Sequence, residues 1–135
     1  MIDHRKSLEL ATRIQSEVPS VLGVYLFGSV AKGVSNAASD VDLALLASDS
    51  LSVLEVWLLA QRLAQDIGVD VDLIDLRRAN AVMRMQVIAE GRRLLCVDEL
   101  ICEQFEDFVY ADFARLNEER AAILMDVQLR GTVYG

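Results

Sequence analysis

The sequence is poor in the residues and segments that mark secreted, membrane-spanning or disordered proteins. Its 135 residues include one proline and two cysteines, and no uncharged apolar run approaches the roughly 18 residues that a membrane-spanning helix needs. The first residues carry charges where a signal peptide has its apolar segment, so we expect a cytoplasmic protein with no membrane contact. Cys96 and Cys102 lack a metal-type spacing, and we expect reduced thiols that serve as packing residues.

Basic residues are also scarce, and the deficit is local. The net charge is −8, with 12 acidic and 10 basic residues up to position 97 but 9 acidic and 3 basic residues after it. Tracking a phosphate backbone needs an excess of Lys and Arg, so we expect no direct binding of nucleic acid. The acidic final helix is instead hypothesised to dock on a basic protein through Glu103, Glu106 and Glu118.

Apolar residues make up 53% of the chain and alternate between helix and strand periods. The patterns predict helices over 3–17, 51–68, 79–90 and 98–127 and strands over 21–27, 39–47, 69–76 and 92–97. The link between the first two strands is too short for a crossover helix, so these strands are expected to be antiparallel. The fold class is therefore α/β (α+β), a small mixed sheet with flanking helices and a long C-terminal helix.

The domain organisation follows from length and from the apolar stripes. We expect one domain over 1–135, with a core of about 1–97 and a helical extension of about 98–135. In the second helix the stripe expected to face the core contains Leu51, Leu54, Trp57, Leu58, Leu63 and Ile67. In the last helix it contains Ile101, Phe105, Phe108, Val109, Phe113, Leu116, Ile123, Leu124 and Val127. Trp57 is thus predicted to be a core residue rather than a platform for a nucleotide base.

Two aspartates interrupt the second predicted strand. Asp40 and Asp42 are two residues apart, so they leave one face of the strand about 6.6 Å apart along it. Paired carboxylates in a partly buried setting repel each other unless a cation joins them, and oxygen ligands favour Mg²⁺ or Mn²⁺. The pair therefore predicts a metal site.

The third predicted strand offers a third carboxylate from Asp70, Asp72 or Asp75. Asp70 and Asp72 share a face, whereas Asp75 lies on the opposite one. Asp72 is preferred because it lies inside the apolar run, while Asp70 stands where the strand begins. If the second and third strands pair, Asp72 completes a three-carboxylate cluster that can hold two metal ions.

A glycine turn precedes the acids and is typical of a phosphate site. Gly28-Ser29 directly follows the first predicted strand, and the residues after it can open a short helix whose free N–H groups bind a phosphate. The Ser29 hydroxyl and Lys32 are further candidate donors. No GxGxxG and no Walker lysine occur in the sequence, which leaves the two familiar mononucleotide folds without support.

Together these residues resemble a known superfamily. Gly28-Ser29, ten residues, then Asp40-x-Asp42, with Asp72 on a later strand, is similar to the signature of the nucleotidyltransferases that include DNA polymerase β. More narrowly, the stretches YLFGSVAKG, SDVDLALL, LAQRLAQDIG, VDVDLIDLRRA and QVIAEGRRLLC resemble the minimal nucleotidyltransferase (MNT) antitoxins encoded beside HEPN-domain toxins.

The resemblance implies a polymerase β-like fold and a metal-dependent protein adenylyltransferase. Such an antitoxin transfers AMP from ATP to a tyrosine hydroxyl of its HEPN ribonuclease partner, releases pyrophosphate and neutralises the toxin. Asp40 and Asp42 would then bind metal and triphosphate, Asp72 would join the Mg²⁺ that activates the tyrosine, and Gly28 with Ser29 would hold the β- and γ-phosphates.

Two alternatives stay open at the level of sequence. One is a transferase that modifies a small molecule, such as an aminoglycoside, although only 38 residues follow the last predicted strand and leave little room for an acceptor domain. The other is a non-catalytic antitoxin that inhibits by binding alone. A phosphate contact by Lys32 rests on position only, because many relatives have arginine there. Arg77 and Arg78 are open candidates for contacts with phosphate or acceptor.

Overall fold

The structure is a computed structural model that describes residues 3–28 and 40–134, with the backbone alone from 131 to 134. Its elements, in chain order, are α1 (His4–Glu17), β1 (Val21–Phe27), β2 (Val41–Ala47), α2 (Val53–Ile67), β3 (Val71–Asp75), α3 (Ala81–Glu90), β4 (Arg92–Cys96) and α4 (Glu99–Tyr134). These bounds confirm the predicted order of helices and strands and extend the last helix by seven residues.

Local sequence explains where the helices begin and end. The side chains of Asp3, Ser52 and Asn80 cap the first turns of α1, α2 and α3 by accepting a backbone N–H three residues on. Gly68 ends α2 with φ of 78°, a left-handed conformation that glycine adopts without steric cost. α1 ends at Glu17, two residues before Pro19.

The four described strands form one mixed sheet in the order β3-β2-β1-β4. β1 pairs antiparallel with β2 and with β4, whereas β2 and β3 are parallel. This confirms the mixed sheet and the antiparallel first pair. The sheet has two apolar faces: one packs against α1 and α2, and the other against α3 and the first third of α4.

The stripe predicted for α2 is wrong in part. Leu59, Ala60 and Leu63 are buried, whereas Leu54, Trp57 and Leu58 are exposed. The helix is apolar on both sides in its first half, so two stripes with helical spacing compete. The stripe that begins at Leu54 and Trp57 continues into glutamines at 61 and 65, and this is the side that faces solvent.

The last helix separates into two halves. Cys102, Phe105 and Val109 pack on the sheet, but every described side chain from 117 to 130 is exposed, including the predicted core residues Ile123, Leu124 and Val127. The 36-residue helix is about 54 Å long, longer than the sheet it packs on. Among the helices of the described chain, none carries a stretch long and apolar enough to span a membrane.

The prediction of reduced cysteines is contradicted. Cys96 ends β4 and Cys102 lies in the first turn of α4, and the structure joins them in a disulfide across a Cα–Cα distance of 6.6 Å. The two-residue connection between strand and helix brings their side chains together. Spacing along the sequence does not show this pairing, because it depends on how α4 turns back onto the sheet.

Candidate functional site

The sheet places two of the predicted carboxylates side by side. Asp42 is the second residue of β2, and its partners on the neighbouring strands are Asp72 of β3 and Phe27 of β1. Residues in register on paired strands point to the same face, and the strands lie about 4.8 Å apart. Asp42 and Asp72 therefore share one patch at the end of the sheet where β2 and β3 begin and β1 ends.

Asp40 is close enough to Asp42 for its charge to act on the Asp42 carboxyl. It directly precedes β2 and is exposed, as is Asp72, while Asp42 is half-buried. Burial, and then the negative charges of Asp72 and Asp40, raise the pKa of the Asp42 carboxyl to about 6. Like charges are thus close enough to disfavour one another, which is costly unless a cation binds.

Gly28 completes this corner of the sheet. It follows β1 with φ of +74°, and a Cβ on it would overlap the Oδ2 atom of Asp42. Glycine is needed here twice, for the left-handed backbone and for the approach of that backbone to the carboxylate. Ser29 and Lys32, predicted to contact phosphate beside Gly28, lie outside the described residues.

The donor set fits a hard divalent cation. Across residues 3–28 and 40–134, no three Asp, Glu, His or Cys side chains form a ready metal cage. Mg²⁺ seldom uses such cages in proteins, since it binds through one or two carboxylates together with water and substrate phosphates. Asp42 and Asp72, with Asp40 beside them, supply such carboxylate oxygens next to the glycine turn.

The other aspartates of the third strand lie elsewhere. Asp75 is buried, and its carboxylate accepts hydrogen bonds from the backbone N–H groups of Leu51 (2.8 Å) and Arg77 (3.0 Å) and pairs with Arg78 at 3.7 Å. Asp70 is exposed just before β3. Of the three candidates, Asp72 alone lies in register with Asp42; its catalytic role stays a prediction.

The two arginines after β3 lie away from the carboxylate patch. Arg77 Nε donates to the carbonyl of Ala47 at 2.6 Å, and Arg78 Nε donates to the carbonyl of Leu51 at 3.1 Å. Both arginines follow the far end of β3, which lies about 10 Å along the strand from Asp72. They hold the turn that follows β3.

A groove beside β3 was not predicted. Its volume is about 690 Å³, and it lies between α2, the edge strand β3 and the start of α3. Its lining includes Val53, Trp57, Asp72 and Arg78. The second apolar stripe of α2 was the signal in the sequence that pointed to this surface.

A polar cluster holds α4 on the face of the sheet opposite to α2. The Tyr25 hydroxyl donates to Oε2 of Glu106 at 3.0 Å, and Arg93 NH1 donates to the same oxygen at 2.8 Å. Burial and then the Glu106 carboxylate raise the pKa of the Tyr25 hydroxyl well above its ordinary value. Glu106 is therefore engaged within the fold, unlike the exposed Glu103 and Glu118.

Comparisons with known proteins agree with this geometry. The family described as polymerase beta, nucleotidyltransferase matches residues 9–100. The protein adenylyltransferase MntA of Shewanella oneidensis is 38% identical over 114 residues, which cover 84% of this chain and 81% of MntA. The resemblance to minimal nucleotidyltransferase antitoxins is thus confirmed over most of the sequence.

Solved toxin–antitoxin complexes contain chains of similar structure. A crystal structure of a toxin-antitoxin with AMP-PNP matches with a TM-score of 0.79 at 35% identity and covers 94% of this chain and 99% of the solved one. A structure of tri-AMPylated Shewanella oneidensis HEPN toxin in complex with MNT antitoxin matches with a TM-score of 0.72 at 34% identity, with coverages of 93% and 95%. With these matches and with motifs at the predicted strand ends, the chain belongs to the polymerase beta nucleotidyltransferase family.

Proposed function

We propose that the protein is an antitoxin that transfers AMP from ATP to a tyrosine hydroxyl of a HEPN ribonuclease toxin and thereby silences it. The observation that carries this proposal is the in-register pair Asp42 and Asp72, with Gly28 packed against Asp42. Support comes from the relative named as a protein adenylyltransferase and from the similar complexes that hold AMP-PNP or an AMPylated HEPN toxin.

The reaction is a displacement at the α-phosphorus of ATP. The tyrosine oxygen forms a bond to that phosphorus, the bond to the bridging oxygen of the β-phosphate breaks, and pyrophosphate leaves. Bound Mg²⁺ would neutralise charge on the attacking and leaving oxygens. Asp40 and Asp42 would hold that cation and orient the triphosphate, and the exposed Asp72 would hold the cation near the acceptor and take up its proton.

The glycine turn would position the leaving group. Gly28 brings backbone against the Asp42 carboxylate, so the β- and γ-phosphates of an ATP held by Asp42 would lie beside this turn. Roles for Ser29 and Lys32 in that contact remain predictions. Binding the phosphates on the β1 side leaves the β3 side of the carboxylates for the protein acceptor.

The proposal is tested with labelled ATP, Mg²⁺ and the co-expressed HEPN partner. Wild type should label a tyrosine of the partner, and Asp42→Asn and Asp72→Asn should reduce labelling at least about 100-fold, because a positioned charge-stabilising group is removed. Absence of label with wild type while the toxin is still inhibited would contradict the proposal in favour of inhibition by binding. Label on an added aminoglycoside instead of the partner would favour the small-molecule transferase.

A further inference from the structure

The groove beside β3 is continuous with the carboxylate patch. Asp72 lines it near one end and Arg78 near the other, so the groove follows β3 along its length. The five residues of that strand span about 17 Å, which equals the length of five extended residues of another chain. Because Val71 and Leu73 pack toward α2, the Asp72 carboxylate leaves the other face of this edge strand. A segment extended along β3 would therefore place one side chain on the Asp72 face and its two neighbours on the α2 face.

The wall that α2 contributes is apolar and open to solvent. Val53 is 69% exposed and Trp57 is 57% exposed, and both line the groove. They are four residues apart on one helix face, with Leu54 exposed beside them. Single exposed apolar residues are ordinary, but a contiguous apolar rim on a cavity marks a binding surface.

The sheet order separates this groove from the phosphate side. Gly28 ends β1, Asp42 lies on β2 and Asp72 lies on β3, and β2 is between the other two strands. A triphosphate bound at Gly28 approaches the carboxylates from the β1 side. The second reactant then has access from the β3 side, where the groove lies.

We propose that the groove binds the polypeptide segment of the acceptor protein that carries the reacting tyrosine. The segment lies along β3, its tyrosine hydroxyl reaches Asp72, and apolar side chains next to the tyrosine pack on Trp57 and Val53. This inference rests on the proposed function, and it adds where the acceptor binds and that its flanking residues are apolar. A nucleotide base stacked on Trp57 is the competing occupant.

The first test separates acceptor binding from nucleotide binding by kinetics. Trp57→Ala should raise KM for the HEPN acceptor roughly 10- to 30-fold, as loss of an aromatic anchor does, with KM for ATP unchanged. Val53→Gln and Val97→Gln are a matched pair, because Val97 is 58% exposed beyond the opposite edge strand. V53Q should raise the acceptor KM and V97Q should not. A raised KM for ATP with an unchanged acceptor KM, or no change in either constant, would overturn the proposal.

The second test requires no activity. Trp57 is the sole tryptophan of the chain, so protein grown with 5-fluorotryptophan carries one fluorine resonance at the rim of the groove. That resonance should shift when the HEPN partner is added and stay in place when AMP-PNP and Mg²⁺ are added alone. A shift with AMP-PNP only, or with neither, overturns the groove assignment. Absence of AMP transfer together with a partner-induced shift would instead refute the proposed function and keep the docking site.

Discussion

The two ends of β3 carry aspartates in opposite environments. At the far end, Asp75 is buried and satisfied by two backbone N–H groups and an arginine. At the near end, no basic side chain or hydrogen-bond donor of residues 3–28 and 40–134 contacts Asp42 or Asp72. Burial, and then the charges of Asp72 and Asp40, raise the pKa of Asp42 to about 6. A structural carboxylate carries its own partners, whereas a carboxylate that awaits a cation does not. This difference is the reason why the near end is proposed as the functional one.

The largest loss of activity is expected from a substitution at Asp42. Asp42→Asn keeps the shape of the side chain but removes the negative charge, so AMP transfer should fall at least about 100-fold. The free energy of unfolding should not fall, because the substitution removes repulsion with Asp72 and Asp40. Transfer is measured with labelled ATP and stability by urea unfolding. A destabilised D42N protein would show that Asp42 has a structural partner after all.

Asp75→Asn should have the opposite profile. Hydrogen bonds to the Leu51 and Arg77 N–H groups weaken and the ion pair with Arg78 is lost, at a cost of about 2 kcal/mol in unfolding free energy. Transfer per folded molecule should fall far less than in D42N, because Asp75 lines the groove beside β3 but lies outside the carboxylate patch. The exposed Asp70 is the matched control, and D70N should change neither quantity. A D75N protein of full stability but no activity would refute the structural role.

Two glycines have the same left-handed backbone conformation but different surroundings. Gly28 and Gly68 have φ of 74° and 78°, and each Gly→Ala substitution should cost about 1–2 kcal/mol of stability from the left-handed backbone. A Cβ at Gly68 meets nothing within 4 Å, whereas one at Gly28 overlaps the Asp42 carboxylate. G28A should therefore also lose transfer activity, measured per folded molecule, while G68A retains it. Equal activity of the two variants would contradict the role of this close approach.

The hydrogen bond from Tyr25 to Glu106 is expected to stabilise the packing of α4 on the sheet. Tyr25→Phe removes the hydroxyl that donates to Glu106, and the unfolding free energy should fall by about 1 kcal/mol at neutral pH. The fold raises the pKa of Tyr25, so this stabilisation is complete below the ordinary value of about 10 and is lost as pH rises above it. Urea unfolding between pH 8 and about 11 should show wild type losing more stability than Y25F. Parallel pH profiles would contradict the assignment.

The smallest effect is expected on the acidic half of α4. Positions 98–112 contain six acidic residues and no basic one, and Glu103 is exposed there. Charge reversal of Glu103 and of the exposed Glu118 should slow association with a basic partner a few-fold at low salt and have less effect at high salt. Stopped-flow association rates measure this. Unchanged rates at low salt would remove the electrostatic part of the docking hypothesis.

Sequence was sufficient for the elements that local chemistry determines. The Gly68 cap, the buried strand Val21–Phe27 and the antiparallel first pair follow from residue types and link lengths. The placement of Asp72 beside Asp42 followed once the second and third strands were taken as neighbours. These features depend on period and spacing, which a sequence contains.

Features that depend on how elements pack could not be predicted in the same way. α2 offers two apolar faces, and only docking on the sheet decides that Leu63 is buried and Trp57 is exposed. The disulfide of Cys96 depends on the turn of α4. In the second half of α4 an apolar stripe with helical spacing does not indicate burial, because the helix extends beyond the sheet that could cover it.

The intact mass of the HEPN partner, measured after incubation with ATP, Mg²⁺ and wild type, D42N or D75N, shows which of the two aspartates AMP transfer requires. The three proteins are compared at equal folded concentration and below the unfolding temperature of D75N. We predict AMP adducts with wild type and D75N and none with D42N. Adducts of equal abundance with D42N and D75N would contradict the assignment of function to the carboxylate patch of Asp42 and Asp72.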